Sequence, residues 1–383
     1  MSVRYDVIVI GVGAMGSSAC MHLAQRGARV LGLEQFGISH DLGSSHGESR
    51  MIRLCYSEHP DYVPLLRRTY ELWAQLQAQT GRELLHLTGG LYLGRADGEL
   101  VGGALRAAEV HGLPHELLSH EQVAERFGQF RLPADYVGFY EPDAGFLLPR
   151  PVIRAQADVA LRHGARLQAH ERVTEWRASD SGVTVHTDRG TYEAARLIWC
   201  GGAWSAPLLG EIGAPLVVTR QVMGWVWPRR PELFERANFP VWAIENPDSS
   251  LHYGFPIVPG GLGLKVAHHV PGEATSPDEI DRGPRPGDED DFRPALARVL
   301  PDADGPLLSM RVCMYTSSPD SHFIIDRHPD HPRVMLAAGF SGHGFKFAAV
   351  IGEVLADLTL DGRTDLPVGF LGLRRFGLRP RPV

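Results

Sequence analysis

The stretch Tyr5-Asp6-Val7-Ile8-Val9-Ile10-Gly11-Val12-Gly13-Ala14-Met15-Gly16 passes from a β-branched, apolar segment straight into a G-x-G-x-x-G run. Side chains apolar on both faces read as a strand buried in a parallel sheet, and the glycines as its turn into a helix. That helix is expected to reach about Arg26, where Gly27 stops it. Arg29 to Leu33 then reads as a second buried strand ending on Glu34. Strand, glycine turn, helix, strand and terminal acid make a complete βαβ unit, the context in which this fingerprint indicates a dinucleotide. Gly11 permits the tight turn, Gly13 lets the backbone approach a pyrophosphate, and Gly16 allows close packing of helix on strand. The helix N-terminus offers N–H groups and a positive dipole end to the phosphates. Glu34 would accept from the ribose hydroxyls, and its charge disfavours a 2′-phosphate and hence NADP. The fingerprint by itself leaves NAD and FAD open.

Outward from this unit, Tyr62 to Gln79 shows helical spacing, and Leu87 to Leu93 a Gly-rich strand pattern. Ser119 with Gln122 forms a capping box for a short helix through Phe127. Pro149 and Pro151 precede a helix to about His163, and strands near Val173, Val183 to Thr187 and Leu197 to Cys200 read as a meander returning to the sheet. Pro271 to Asp291, rich in Pro, Gly, Asp and Glu, is expected to be an exposed loop with one helical turn. No repeat of fixed period is visible.

With 383 residues and 44% hydrophobic residues, the chain can bury a full core as one large α/β domain or two interleaved ones. The net charge of -7 and the lack of a polybasic block argue against nucleic acid. Four cysteines (Cys20, Cys55, Cys200, Cys313) without a C-x-x-C pair indicate neither a zinc site nor a disulfide framework, and fit a reducing compartment. Asp6 interrupts the apolar run near Arg4, so it does not read as a secretory segment. No stretch is long and apolar enough to span a bilayer. A soluble, cytoplasmic protein with no membrane partner is expected.

Three further blocks narrow the choice of cofactor. Gly43-Ser44-Ser45-His46-Gly47-Glu48-Ser49-Arg50-Met51-Ile52-Arg53 follows the ribose-binding strand. Cys313-Met314-Tyr315-Thr316 precedes His322-Phe323-Ile324-Ile325-Asp326. Gly339-Phe340-Ser341-Gly342-His343-Gly344-Phe345-Lys346 then enters an apolar helix. In this order, and with Tyr253-Gly254-Phe255-Pro256 followed by Gly263-Leu264-Lys265, they resemble the monomeric sarcosine oxidase and N-methyltryptophan oxidase family over nearly the whole length.

The resemblance implies FAD and a Rossmann-like FAD-binding domain of the glutathione-reductase type (1–85, 145–215 and 310–383). A substrate domain on an antiparallel or mixed sheet (86–144 and 216–309) is interleaved with it. It implies that Cys313 carries the flavin through a thioether to the 8α-methyl carbon, where a lone cysteine is otherwise a small core residue. Ala14, Met15, Ser44, Ser45, Val173 and Phe345 are implied cofactor contacts. Gly342 and Gly344, with Gly339, would set backbone N–H groups against the N1–O2 edge of the flavin. Arg53 and Lys346 are implied as the clamp on a substrate carboxylate, Lys346 also touching the cofactor, and Arg50 sits beside the flavin ring. Lys265, in its G-L-K context, is implied to promote the reaction with dioxygen.

His269 and Tyr315 fall where the family keeps groups near the substrate amine, with His268 an adjacent ambiguity among 18 histidines. Tyr253 and Ala243 line the implied substrate pocket, Ala243 standing where a larger methionine is expected, so a bulkier amino acid than sarcosine fits. Glu58 is a further candidate for balancing the arginines' charge. The expected activity is oxidation of an N-methyl or cyclic secondary amino acid, by a monomer, with O2 reduced to hydrogen peroxide. A dehydrogenase serving an electron carrier, and a tRNA-modifying or non-catalytic flavoprotein, are the alternatives.

Overall fold

The computed structural model describes residues 4–258 and 260–378. Two eight-stranded sheets and a three-stranded one form its frame. In the first, Arg4–Ile10 lies between Val30–Leu33 and Thr191–Trp199, all parallel, and Arg166–Gln168 extends the sheet beyond Val30–Leu33. The other edge of Thr191–Trp199 is shared. Its first half pairs antiparallel with Gly182–Thr187 of the expected meander, and its last residues pair parallel with Val334–Ala338. Along Arg4–Ile10, Val7 and Val9 pack with the helices Ala14–Gln25, Val63–Thr80, Pro149–Arg162 and Ala348–Leu360, while Ile8 and Ile10 pack on the opposite face. Burial on both faces is why the strand reads as continuously apolar. Helix Ala14–Gln25 approaches Ala348–Leu360 so closely that a Cβ on Gly352 would meet the Ser18 side chain at 2.1 Å.

The second sheet runs, in spatial order, Leu307–Ser317, Val217–Val226, Leu264–His269, Leu251–Phe255, Val241–Glu245, Gly90–Gly94, Val137–Glu141 and Glu116–Leu118. Among the described pairings it is antiparallel except between Val241–Glu245 and Gly90–Gly94, hence mixed. The boundary expected at residue 310 falls inside Leu307–Ser317, which pairs from Leu307↔Val226 to Ser317↔Val217 and so goes with this sheet. The α/β class with a Rossmann-like first layer and a mixed second sheet is the observed architecture.

Three local expectations are corrected. Leu87 to Leu93 is two strands, Leu85–Leu87 and Gly90–Gly94, broken where Gly89 adopts φ +72°, close under the Tyr140 ring. Pro149 and Pro151 lie inside the first turn of helix Pro149–Arg162, where a missing N–H costs nothing. The 271–291 loop is not simply exposed. The buried Arg220 guanidinium grips Asp288 through both carboxylate oxygens at 2.8 Å and donates to the Asp281 and Gly283 carbonyls, and Ile280 is buried against Val218 and Met314. Its expected helical turn is Asp288–Asp291. The Ser119–Gln122 capping box is present. Among the described residues, no helix is long and apolar enough to cross a membrane.

Candidate functional site

A cleft of about 480 Å³ runs between the two large sheets, from the first glycine turn to the second. At one end Gly11 turns with φ +85°, and a Cβ there would sit 2.4 Å from the Cys200 carbonyl oxygen. A Cβ on Gly16 would lie 1.8 Å from the Gly11 carbonyl oxygen, so this glycine packs the helix on the turn itself and does not line the cleft. A Cβ on Gly13 would meet nothing within 4 Å, because it points into the cleft. Helix Ala14–Gln25 has no side-chain cap and no acid in its first turn, so its N-terminus keeps its positive end toward the cleft. Glu34 accepts from the Val12 and Phe36 N–H groups at 2.9 and 3.0 Å. Burial pushes its carboxyl up, but the hydrogen bonds from His40, Phe36 and Val12 outweigh this and hold it below the usual value. Ala14, Met15, Ser44, Ser45 and Val173 line the same cleft.

Farther along, Cys313 lies buried on the edge strand Leu307–Ser317, its Sγ 3.8 Å from an Arg50 Nη2 that also donates to the Ser44 carbonyl at 3.0 Å. Arg50 thereby ties the polar loop to the cysteine's strand. Opposite, Gly342 takes φ +78°, and a Cβ there would strike the Tyr315 ring at 2.7 Å. A Cβ on Gly344 would strike Phe340 at 2.5 Å. Both glycines, with Phe345 and Lys346, line the cleft.

Arg53 and Lys346 converge from different elements on one ring, with the Arg53 guanidinium carbon and Lys346 Nζ 5.1 and 4.9 Å from the Tyr56 centroid. Arg53 Nη2 is held by Glu58, at 2.7 and 2.8 Å, and by Ser57 Oγ, while Nε is buried without a partner. Burial works against the Arg53 charge, but the Glu58 carboxylate together with Tyr92, Tyr56 and Glu141 more than offsets it and holds the pKa above its ordinary value. Burial pushes Lys346 down to about 7, opposed by Glu58 and aided by Arg53. A guanidinium with an unpaired edge beside a half-neutral lysine is a site for an anion.

Strand alternation settles which histidine faces the cleft. His268 stacks on His252 at 4.2 Å and bonds Ser250 Oγ, away from the cleft, whereas His269 lines it and shares a 3.0 Å hydrogen bond with the Tyr315 hydroxyl. Burial lowers His269 to about 4, so it is uncharged at neutral pH. Tyr253 and Ala243, cross-strand partners, form the adjoining wall. Lys265 does not line the cleft. It lies beneath, its Nζ donating to the Gly47 and Ser49 carbonyls at 2.9 and 2.8 Å, 4.6 Å from the Phe255 ring.

Sequence reasoning did not single out Tyr56, Trp204, Asp278 or the Gly201-Gly202 turn, all at the site; the glycine pair ending a strand was the one local signal available. Thr316, inside the C-M-Y-T block, also lines the cleft, and its Oγ1 is buried without a protein partner. That orphaned hydroxyl, the open space beyond Gly13 and the uncapped helix fit an extended dinucleotide.

Comparison with known proteins agrees with this geometry. Residues 6–358 match the family model described as FAD dependent oxidoreductase. The chain is 45% identical to a monomeric sarcosine oxidase of Streptomyces avermitilis, over 99% of this chain and 100% of that one. It is 34% identical to an N-methyl-L-tryptophan oxidase of Yersinia pestis, over 97% and 99%. Among solved structures it resembles NikD, an unusual amino acid oxidase essential for nikkomycin biosynthesis, with TM-score 0.85 and 27% identity over 100% and 99% of the two chains.

Proposed function

The chain belongs to the FAD dependent oxidoreductase family, and from that premise we propose that it oxidises an N-methyl or cyclic secondary amino acid to an imine, which water hydrolyses. The observation that carries this reading is the convergence of Arg53 and Lys346 in the same cleft as the nucleotide anchor and Cys313. Gly11, Gly13, Ala14, Met15 and Glu34 hold the ADP half of FAD, with Gly16 shaping the turn. Ser44, Ser45, Arg50, Val173, Gly342, Gly344, Phe345 and Lys346 would surround the rest, and Cys313 would be its covalent anchor. When bound, FAD would supply the acceptor for the hydride, with dioxygen as the final oxidant giving hydrogen peroxide.

The protein's own part is binding and charge. Arg53 and Lys346 fix the carboxylate, which sets the reacting carbon in one orientation. The uncharged His269, bonded to Tyr315, holds the amine in its neutral, reactive form. Tyr253 and Ala243 bound the side-chain space, and the small Ala243 admits a larger group than a methyl. Lys265 supplies positive charge beneath the cleft floor for oxygen reduction. The 45% identity to a monomeric sarcosine oxidase supports action as a monomer.

The test is a panel of sarcosine, pipecolate, proline, N-methyltryptophan and D-amino acids. At least one secondary amino acid is expected to consume oxygen and release an equal amount of peroxide. Peroxide from none of them overturns the proposal.

The lowered Lys346 pKa adds a pH dependence. Its charged form is present below about 7 and lost above, so a carboxylate that does not itself titrate there binds more weakly as pH rises. Its Kd is expected to climb by up to about tenfold per pH unit above that point, and to stay flat in Lys346→Arg. Absorbance titration of the bound flavin with acetate measures this, and a flat wild-type profile contradicts it.

A further inference from the structure

The acid Glu141 ends the strand Val137–Glu141, is 1% exposed and does not line the cleft. Burying a carboxyl is costly unless its oxygens are satisfied, and here they are, by groups that lead to one place. The short strand Arg50–Ile52 pairs with Gly145–Leu147 only as far as Ile52↔Gly145. Beyond that point the ladder stops, and Glu141 Oε1 takes over, accepting the N–H groups of Leu54 and Cys55, the latter at 3.2 Å. Oε2 accepts the Tyr92 hydroxyl at 3.1 Å, and the Tyr92 ring lies 5.3 Å from the Arg53 guanidinium carbon. One carboxylate thus holds both the backbone that follows Arg53 and an aromatic surface against its guanidinium.

We propose that Glu141 is the positioning residue for Arg53, setting the guanidinium's place in the cleft without touching substrate or cofactor. The inference rests on Arg53 being the carboxylate clamp. Loss of one hydrogen bond between charged groups in such a clamp costs roughly 10- to 150-fold in binding, whereas a general loss of packing would lower every property of the site together.

The experiment uses the flavin-loaded protein and acetate, its Kd read from the flavin absorbance, alongside KM and kcat for the best secondary amino acid of the panel. Glu141→Ala is expected to raise the acetate Kd and KM by roughly 10- to 150-fold, with kcat changed at least tenfold less. Glu141→Gln, which keeps an oxygen acceptor for Leu54 and Cys55, is expected to return both to within about threefold of wild type. An unchanged Kd in Glu141→Ala overturns the proposal, as does an equal fall in kcat and binding in both variants. If Glu141→Ala does not fold, Tyr92→Phe carries the test, with a several-fold rise in Kd expected and no rise overturning it. Wild-type protein that binds no carboxylate removes the clamp itself, and the inference falls with it; a clamp that works but ignores Glu141 removes the inference alone.

Discussion

Replacing Arg53 with methionine is expected to lower kcat/KM for a secondary amino acid by about a thousandfold, roughly 4 kcal/mol. A hydrogen bond to a charged group contributes about 1.5–3 kcal/mol, and the guanidinium presents its remaining edge to the cleft while Nη2 is engaged by Ser57 and Glu58. Methionine removes that interaction and also releases Glu58. Burial pushes the Glu58 carboxyl up, and Arg53, His343 and Lys346 together hold it well below its usual range, so without Arg53 its pKa rises and, where still charged, it repels the substrate. Glu58 retains 30% side-chain exposure, so the penalty for breaking the pair is smaller than for a fully buried one, and the fold should survive. Arg53→Lys should recover only part of the loss, since a point charge cannot replace the planar fork. Steady-state kinetics measure this. A kcat/KM within tenfold of wild type would mean that the carboxylate binds elsewhere.

Lys265→Met is expected to slow the reaction of the reduced enzyme with oxygen by about 100- to 1,000-fold, the range for removing one preorganised charge-stabilising donor. Reduction by substrate without oxygen should change by less than about tenfold, because the carboxylate clamp is untouched. Burial and then Arg50 push the Lys265 pKa well below its ordinary value. The charged form is therefore present at low pH and lost as pH rises through the lowered pKa, so reoxidation should be faster at the acid end. An anion forming nearby favours the protonated lysine, and the Gly47 and Ser49 carbonyls keep Nζ in place. Stopped-flow absorbance separates the two half-reactions. Equal slowing of both would remove this role from Lys265 and favour an enzyme that serves another electron acceptor.

The nucleotide end of the cleft was legible because its signals are local: the three glycines and Glu34 act within one βαβ unit, and each has a backbone reason visible in the spacing. The far end was legible only through blocks that resemble a family, since Cys313 meets Arg50 across 263 residues of chain. What stayed hidden depends on contacts that no window contains. Pro271 to Asp291 has the composition of a solvated loop, yet Arg220, far earlier on a central strand, draws it against the protein through Asp288. The choice between His268 and His269 turned on register, and pairing of Leu251 with His269 put the second on the cleft face. Lys265 was singled out, but nothing in its neighbours says that it sits one layer below the lining. Glu141 and Tyr92 gave no signal, because an acid ending a strand usually faces water.

One flavin is expected to lie along this cleft, held at the Gly11 to Glu34 end by the nucleotide fingerprint and at the other by a bond to Cys313. Acid precipitation of the purified protein tests it most directly. The yellow colour is expected to stay in the pellet, and the intact mass to exceed that of the polypeptide by one FAD. Colour released to the supernatant would contradict the bond at Cys313, and a purified protein with no flavin colour would contradict the reading of the cleft as a flavin site.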